Sequence, residues 1–205
     1  MFSPEMADRD AGRYRKNGLG AESRRIVEVV RRLGTGLTVL EVGGGIGVTG
    51  LELVRAGASR ATNVELSRSY EAVATELIDA AGLAGRIDRR VANFVAEAGS
   101  VPAADAVILE RVVCCYPDAN ALVAAAAGHT GRLLVLTFPI DRRPAGVVAA
   151  LINVWPRLRG WKFRFYLHRT SAVIASAAAE GLRLTERRRG LFWQMLVFER
   201  DAVVA

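Results

Sequence analysis

In VLEVGGGIG, residues 39–47, an apolar run ends in glycines at 43, 45 and 47. Glycines at this spacing allow a tight turn and a close approach of backbone to a ligand, and a helix that follows offers unpaired amide hydrogens. The loop therefore suits a polar or negative ligand. Two cofactor classes fit it. Gly45, Gly47 and Gly50 satisfy the dinucleotide pattern G-x-G-x-x-G, while Glu41 with Gly43, Gly45 and Gly47 reads E-x-G-x-G-x-G. Glu65, in NVELS, closes a second apolar run, where an acid faces the cofactor ribose in either class.

The second chemical feature is ERVVCCYPD, residues 110–118, which holds both cysteines of the chain. Neighbouring cysteines strain an ordinary bridge, and two ligands alone make a poor zinc site, so neither disulfide nor metal is expected. A reactive thiolate needs a cation or a helix start beside it, and Arg111 and the residues after Asp118 could supply these. A free cysteine is more often a small buried hydrophobe, which favours a packed or pocket-wall pair.

Two histidines are available as bases, His129 and His168. His129 precedes the fifth apolar run and reads as a helix-end residue favoured by the dipole. His168 follows a long connection and precedes a helix, which places it at the ligand edge and makes it the candidate base. Before it, WKFRFYLHR alternates with period two, setting Trp161, Phe163, Phe165 and Leu167 against Lys162, Arg164, Tyr166 and His168. This is a candidate substrate wall, with Arg164 or Lys162 for an anionic group and the aromatics, Tyr166 included, for an apolar body.

Read as E-x-G-x-G-x-G, the loop resembles motif I of class I S-adenosylmethionine-dependent methyltransferases. That reading begins where Gly43 ends the strand, whereas the dinucleotide reading starts two residues late. The resemblance covers 37–139 and implies S-adenosylmethionine as cofactor. It implies Glu41 near the cofactor's ammonium group, Glu65 on the ribose hydroxyls, Leu66 beside the adenosine, and Asn93 with Phe94 around the adenine. Asn93 stands where aspartate is commoner, and its amide can still bond the adenine amino group. ERVVCCYPD is similar to N-V-L-H-H-L-P-D of many small-molecule methyltransferases. Glu110 or Arg111 would then offer a backbone carbonyl to the methionine part. Cys114, Cys115 and Tyr116 would line the methyl-transfer cavity, with Tyr14 closing over the methionine end. A likeness to magnesium-protoporphyrin O-methyltransferases, in the strand layout and an elaboration after the fifth strand, suggests a large planar acceptor.

The elements that must position these residues alternate from about residue 36 as strand, helix, strand. Five strands are expected at 37–43, 61–67, 87–93, 106–111 and 133–139. Helices are expected at 47–57, 69–81 and 118–127, with a weaker turn near 95–99. Ser67 or Ser69 can cap the second and Asp118 the third. A further helix at 170–180 precedes LRLTERRR and FWQMLVFER, which read as a hairpin whose last strand runs antiparallel. The fold class is therefore α/β, a Rossmann-like three-layer sandwich with a seven-stranded, mostly parallel sheet. One domain is expected: a helical N-terminal lid at 1–35, a cofactor core at 36–140, a cap at 141–168, and a helix and hairpin at 169–205.

The chain has 28 basic and 21 acidic residues in 205. Residues 1–140 carry 16 of each sign and 141–205 carry 12 basic and 5 acidic, so the surplus lies in the last third. Such asymmetry suits an anionic substrate, nucleic acid or an anionic membrane surface, although arginine in an Ala-rich chain also accumulates from coding bias. The start, MFSPEMADRD, lacks a signal pattern and no apolar run spans a bilayer, which points to a cytoplasmic protein with at most peripheral membrane contact. Methyl transfer to an oxygen or nitrogen of a small aromatic or lipophilic acceptor is the function expected. Nucleic-acid methylation, a non-catalytic cofactor-binding scaffold and nicotinamide-dependent oxidoreduction are the alternatives. No stable nucleic-acid partner is expected, because no RNA-binding module accompanies the core and N/D-P-P-Y/F is missing after the fourth strand.

Overall fold

The computed structural model describes residues 3–142, 146, 150, 151, 153, 154, 158 and 164–201. Its strands are β1 (Thr38–Val42), β2 (Arg60–Glu65), β3 (Ile87–Val91), β4 (Ala104–Glu110), β5 (Thr130–Pro139), β6 (Leu182–Arg189) and β7 (Trp193–Arg200). They form one sheet in the order β3-β2-β1-β4-β5-β7-β6. β7 is antiparallel to both β5 and β6, so β6 runs with the first five strands. The expected fold class and terminal hairpin are both present.

Six helices can be labelled among the described residues: α1 (Pro4–Asn17), α2 (Ala21–Arg31), α3 (Val48–Arg55), α4 (Glu71–Ala80), α5 (Ala119–Gly128) and α6 (Thr170–Ala179). Period-two alternation in the strands divides them between two layers. Val39, Ala61, Ala106 and Ile108 pack with Ile26, Leu51 and Leu77 of α2, α3 and α4, and α1 joins this layer through Ala7 and Ala11. Leu40, Val42, Val107 and Leu109 point the other way, onto Leu122 and Val123 of α5 and Val173 of α6. The central strands are thus covered on both faces, which explains their unbroken apolar runs. Each such leucine or isoleucine contributes about 1.5–3 kcal/mol by leaving water.

Local signals set most boundaries. Asp118 caps α5, its carboxylate accepting from the Ala121 amide at 2.9 Å. Ser67 accepts from the Ser69 amide at 3.4 Å and caps a 3-10 turn, Arg68–Tyr70, that leads into α4. The helix expected from 69 therefore begins as this tighter turn.

The N-terminal region folds back over the ligand edge as two helices separated at Gly18, where φ is +67°. Both lie within the helical lid expected at 1–35. α1 buries only Ala7 and Ala11, one turn apart, and its start is marked by Ser3, Pro4 and Glu5.

Candidate functional site

Gly43 leaves β1 at φ +67°, and a Cβ on it would lie 2.4 Å from Val112 Cγ2. Gly45 has φ +57°, and Gly47, at φ +73°, is the N-cap of α3. The loop thus presses against the exit of β4 and delivers the chain to the first turn of α3. A side chain at 43 or 45 would strain this path, and one at 43 would also collide with Val112.

A row of polar side chains fixes the loop from beneath. Glu41, Asn63 and Arg89 are register neighbours on β1, β2 and β3 and share one face. Glu41 Oε2 accepts from the Gly50 amide at 3.0 Å and from Asn63 Nδ2 at 2.8 Å. Arg89 donates to Asn63 Oδ1 at 3.0 Å, to the Gly45 carbonyl at 3.1 Å, and to Glu71 Oε1 at 2.6 Å. Burial pushes the Glu41 carboxyl up to about 7. Glu41, expected near the cofactor's ammonium group, sits under the loop, 2% exposed, with one oxygen committed to the Gly50 amide and Asn63, and it borders the wider of two hollows beside the loop.

On one side of the loop is a hollow of about 160 Å³ lined by Glu65, Leu66, Asn93, Phe94, Cys115 and Tyr116, among others. Glu65 ends β2 only 7% exposed, with Oε2 accepting from the Gly45 amide at 2.9 Å and Oε1 from the Ser67 amide at 2.8 Å. Each oxygen keeps a lone pair for a further donor. Asn93 Oδ1 accepts from the Tyr116 hydroxyl at 3.3 Å and the Ala96 amide at 3.5 Å. That assignment leaves the Asn93 Nδ2 hydrogens as the donors available to a ring. Phe94 is held edge-on by His129, whose ring nitrogens face the carbonyls of Ala125 and Ala98 at 2.7 and 2.9 Å. His129 is therefore a packing residue at the end of α5.

The segment after β4 separates the cysteines. Arg111 has φ +57°, and its amide donates to both the carbonyl and the hydroxyl of Thr137, at 3.1 and 3.0 Å. A non-glycine residue held there costs about 1–3 kcal/mol, a strain found most often at functional sites. The following 3-10 turn, Val113–Cys115, buries Cys114 and leaves Cys115 part-exposed in the smaller hollow. Both thiols face the Arg111 carbonyl, at 3.4 and 3.6 Å, with 3.9 Å between the sulfurs. Cys114, 2% exposed, is a core residue whose thiol is pushed well up by its neighbour's sulfur and burial, and Cys115 is a wall residue of the smaller hollow. Cys115→Ala is expected to leave turnover and cofactor affinity within about threefold, measured as product formation and calorimetric affinity, because a thiol there contributes apolar wall. Loss of turnover with affinity intact would make the sulfur part of the chemistry.

On the loop's other side lies a wider hollow of about 930 Å³, walled by α1, α2, Glu110, Arg111 and the β6–β7 turn. The two hollows share Gly43, Gly45, Tyr70 and Arg111. Glu110 Oε1 accepts from Ser23 Oγ at 2.8 Å and Oε2 from Thr49 Oγ1 at 3.0 Å, joining α2 to α3. Burial raises its pKa, and among the described residues it makes no ion pair. Arg111 donates to Glu22 at 2.7 Å and lies 4.8 Å over the Trp193 ring, joining α2 to the hairpin. Tyr14 borders this hollow, but its hydroxyl is held by Glu52 and Arg55 of α3.

His168, Tyr166 and Arg164 border neither hollow. The Tyr166 amide donates to the Cys114 carbonyl at 2.7 Å, and His168 Nε2 pairs with the Tyr116 carbonyl at 3.0 Å. Burial lowers the pKa of His168. Tyr166 and His168 thus join the connection to the turn that follows β4, and Trp161, Lys162 and Phe163 lie outside the described residues. Leu191, Phe192, Trp193 and Met195 border the wider hollow. A sequence signal existed: β6 follows a crossover helix, runs parallel, and so must turn at the ligand edge.

No family model matches the sequence, and no curated protein resembles it in sequence. Solved structures do match. The magnesium protoporphyrin IX methyltransferase of Synechocystis, with bound S-adenosylhomocysteine, superposes with TM-score 0.71 at 19% identity, covering 88% of this chain and 82% of that one. An O-methyltransferase family 2 protein of Planctomyces limnophilus, in complex with apigenin, gives 0.63 at 14% identity, covering 90% and 63%. The (4+2)-cyclase SpnF gives 0.64 at 16% identity, covering 86% and 80%. Strand order, reversed β7 and these likenesses agree that the chain has the class I S-adenosylmethionine-dependent methyltransferase fold.

Proposed function

We propose that the protein transfers a methyl group from S-adenosylmethionine to an oxygen or nitrogen of a small aromatic or lipophilic molecule. The observation that carries this reading is the meeting of two unlike hollows at one glycine loop. The smaller offers a ribose acceptor in Glu65, an amide in Asn93 and apolar walls in Phe94 and Val112. The larger is wide, open and lined by Phe192 and Trp193, which suits an aromatic acceptor. The glycine path supports the fit, since Gly43 and Gly45 border both hollows with bare backbone.

When bound, the cofactor supplies a sulfonium-activated methyl group with a good leaving group attached. The chain's own residues then orient the reactants, since in-line displacement depends mainly on near-attack geometry. Glu65 fixes the adenosine half. Glu110, part-buried and in no ion pair among the described residues, would hold the ammonium of the methionine half, a charge that offsets its own desolvation. Arg111 and Trp193 close the wall beside the acceptor.

Fold alone does not fix chemistry, as the cyclase with this architecture illustrates. The test is a panel of phenols, hydroxylated heterocycles and amines with methyl-tritiated S-adenosylmethionine. Acceptor-dependent transfer of label supports the reading, and cofactor binding with no transfer across the panel contradicts it. Glu110→Gln is expected to weaken S-adenosylhomocysteine binding about tenfold by calorimetry, the loss of one charge-assisted contact. Unchanged affinity would remove Glu110 from the cofactor site.

A further inference from the structure

Five arginines line the wider hollow: Arg13, Arg25, Arg111, Arg188 and Arg189. Three have carboxylate partners. Arg13 lies 3.9 Å from Asp10, Arg111 pairs with Glu22, and Arg188 with Glu186. Glu186 is shared with Arg32 at 3.0 Å. Arg25, on α2, and Arg189, at the end of β6, form no ion pair among the described residues and are exposed. Arg111 links the walls that carry them, through Glu22 on one side and the Trp193 ring on the other.

The hairpin tip holds more positive charge than its surroundings balance. Arg187, Arg188 and Arg189 are consecutive, and Arg187 Nε is buried with no hydrogen-bond partner. Burial, and then repulsion from Arg189, lower the Arg187 pKa. Beside these cations stand Leu191, 101% exposed, and the rings of Phe192 and Trp193. A ligand matched to this wall has an apolar, flat body and a negative group at its edge, because charge-assisted bonds to guanidinium favour carboxylate or phosphate.

We propose that Arg25 and Arg189 bind an anionic group, carboxylate or phosphate, carried by an aromatic acceptor whose ring rests on the hairpin tip. This rests on the reading above that the wider hollow receives the acceptor. It moves the substrate wall from residues 161–168 to the β6–β7 turn and assigns part of the basic surplus of the last third to substrate capture.

The test is calorimetric titration of the full chain, saturated with S-adenosylhomocysteine, with naphthoate, naphthyl phosphate and neutral naphthol. At least one anion is expected to bind about tenfold tighter than naphthol. Whether naphthoate or naphthyl phosphate shows the gain tells which group the site takes. Arg25→Gln and Arg189→Gln are each expected to cut that advantage to about threefold or less, leaving naphthol and S-adenosylhomocysteine affinities unchanged. Equal binding of naphthol and both anions, or binding of none, overturns the assignment. Loss of S-adenosylhomocysteine affinity in either variant also overturns it, by giving that arginine to the cofactor's carboxylate. If the unaltered chain failed to bind S-adenosylhomocysteine, the proposed cofactor would fall, and the same titration without it would still decide the anion site.

Discussion

Glu65→Ala is expected to weaken S-adenosylhomocysteine binding by about one to two orders of magnitude, with Glu65→Gln intermediate. The carboxylate ends β2 facing the smaller hollow, and its two oxygens already hold the Gly45 and Ser67 amides. Removal therefore takes away the acceptor for two ribose hydroxyls and loosens the loop that shapes the hollow. Water can reach both stranded amides, so the melting temperature should fall by only about 2–6 °C. Calorimetry and thermal unfolding read the two effects separately. Unchanged affinity, or a loss of affinity fully explained by unfolding, would leave Glu65 a structural clamp.

Arg89→Met is expected to lower the melting temperature by about 5–10 °C, the largest stability effect among these substitutions. Methionine fills much of the volume but strands Asn63 Oδ1 and the Gly45 carbonyl, and removes the cation beside Glu71. The Arg89 side chain is 7% exposed and Glu71 33%, so the ion pair itself is discounted for water screening. Most of the cost comes from buried polar groups left without donors, about 2–4 kcal/mol in total. Because Arg89 holds Gly45 from below, cofactor affinity should fall as well, even though Arg89 lines neither hollow. A melting temperature equal to that of the unaltered chain would show that the polar row carries little of the loop's order.

The strand and helix order was readable because buried parallel strands appear as short apolar runs and each helix carries a cap or a breaker. Asp118 and Gly47 mark two of those starts, and both cap in the structure. Glu65 was readable for a related reason, while Leu66, Asn93 and Phe94 were pointed to by the resemblance. Parallel strands all end on one edge, so the residues closing β2 and β3 had to meet around the glycine loop, and they line one hollow.

What failed to appear depends on side-chain direction and on distant pairing. Glu41 lies two residues before the first glycine, and period-two alternation turns it under the loop, in register with Asn63 and Arg89. That row is dispersed over three strands in the sequence, and no local pattern announces it. His168 is near the ligand edge in chain order, yet its ring is taken by the Tyr116 carbonyl. Ser23 and Thr49 are unremarkable in sequence and matter only because α2 and α3 bring both to Glu110.

The central claim is that the glycine loop and Glu65 form a site for S-adenosylmethionine. Titration of the full chain with S-adenosylhomocysteine, and separately with NADH, tests it most directly. The account predicts saturable binding of S-adenosylhomocysteine that Glu65→Ala weakens, and none of NADH. Binding of NADH without binding of S-adenosylhomocysteine would contradict it.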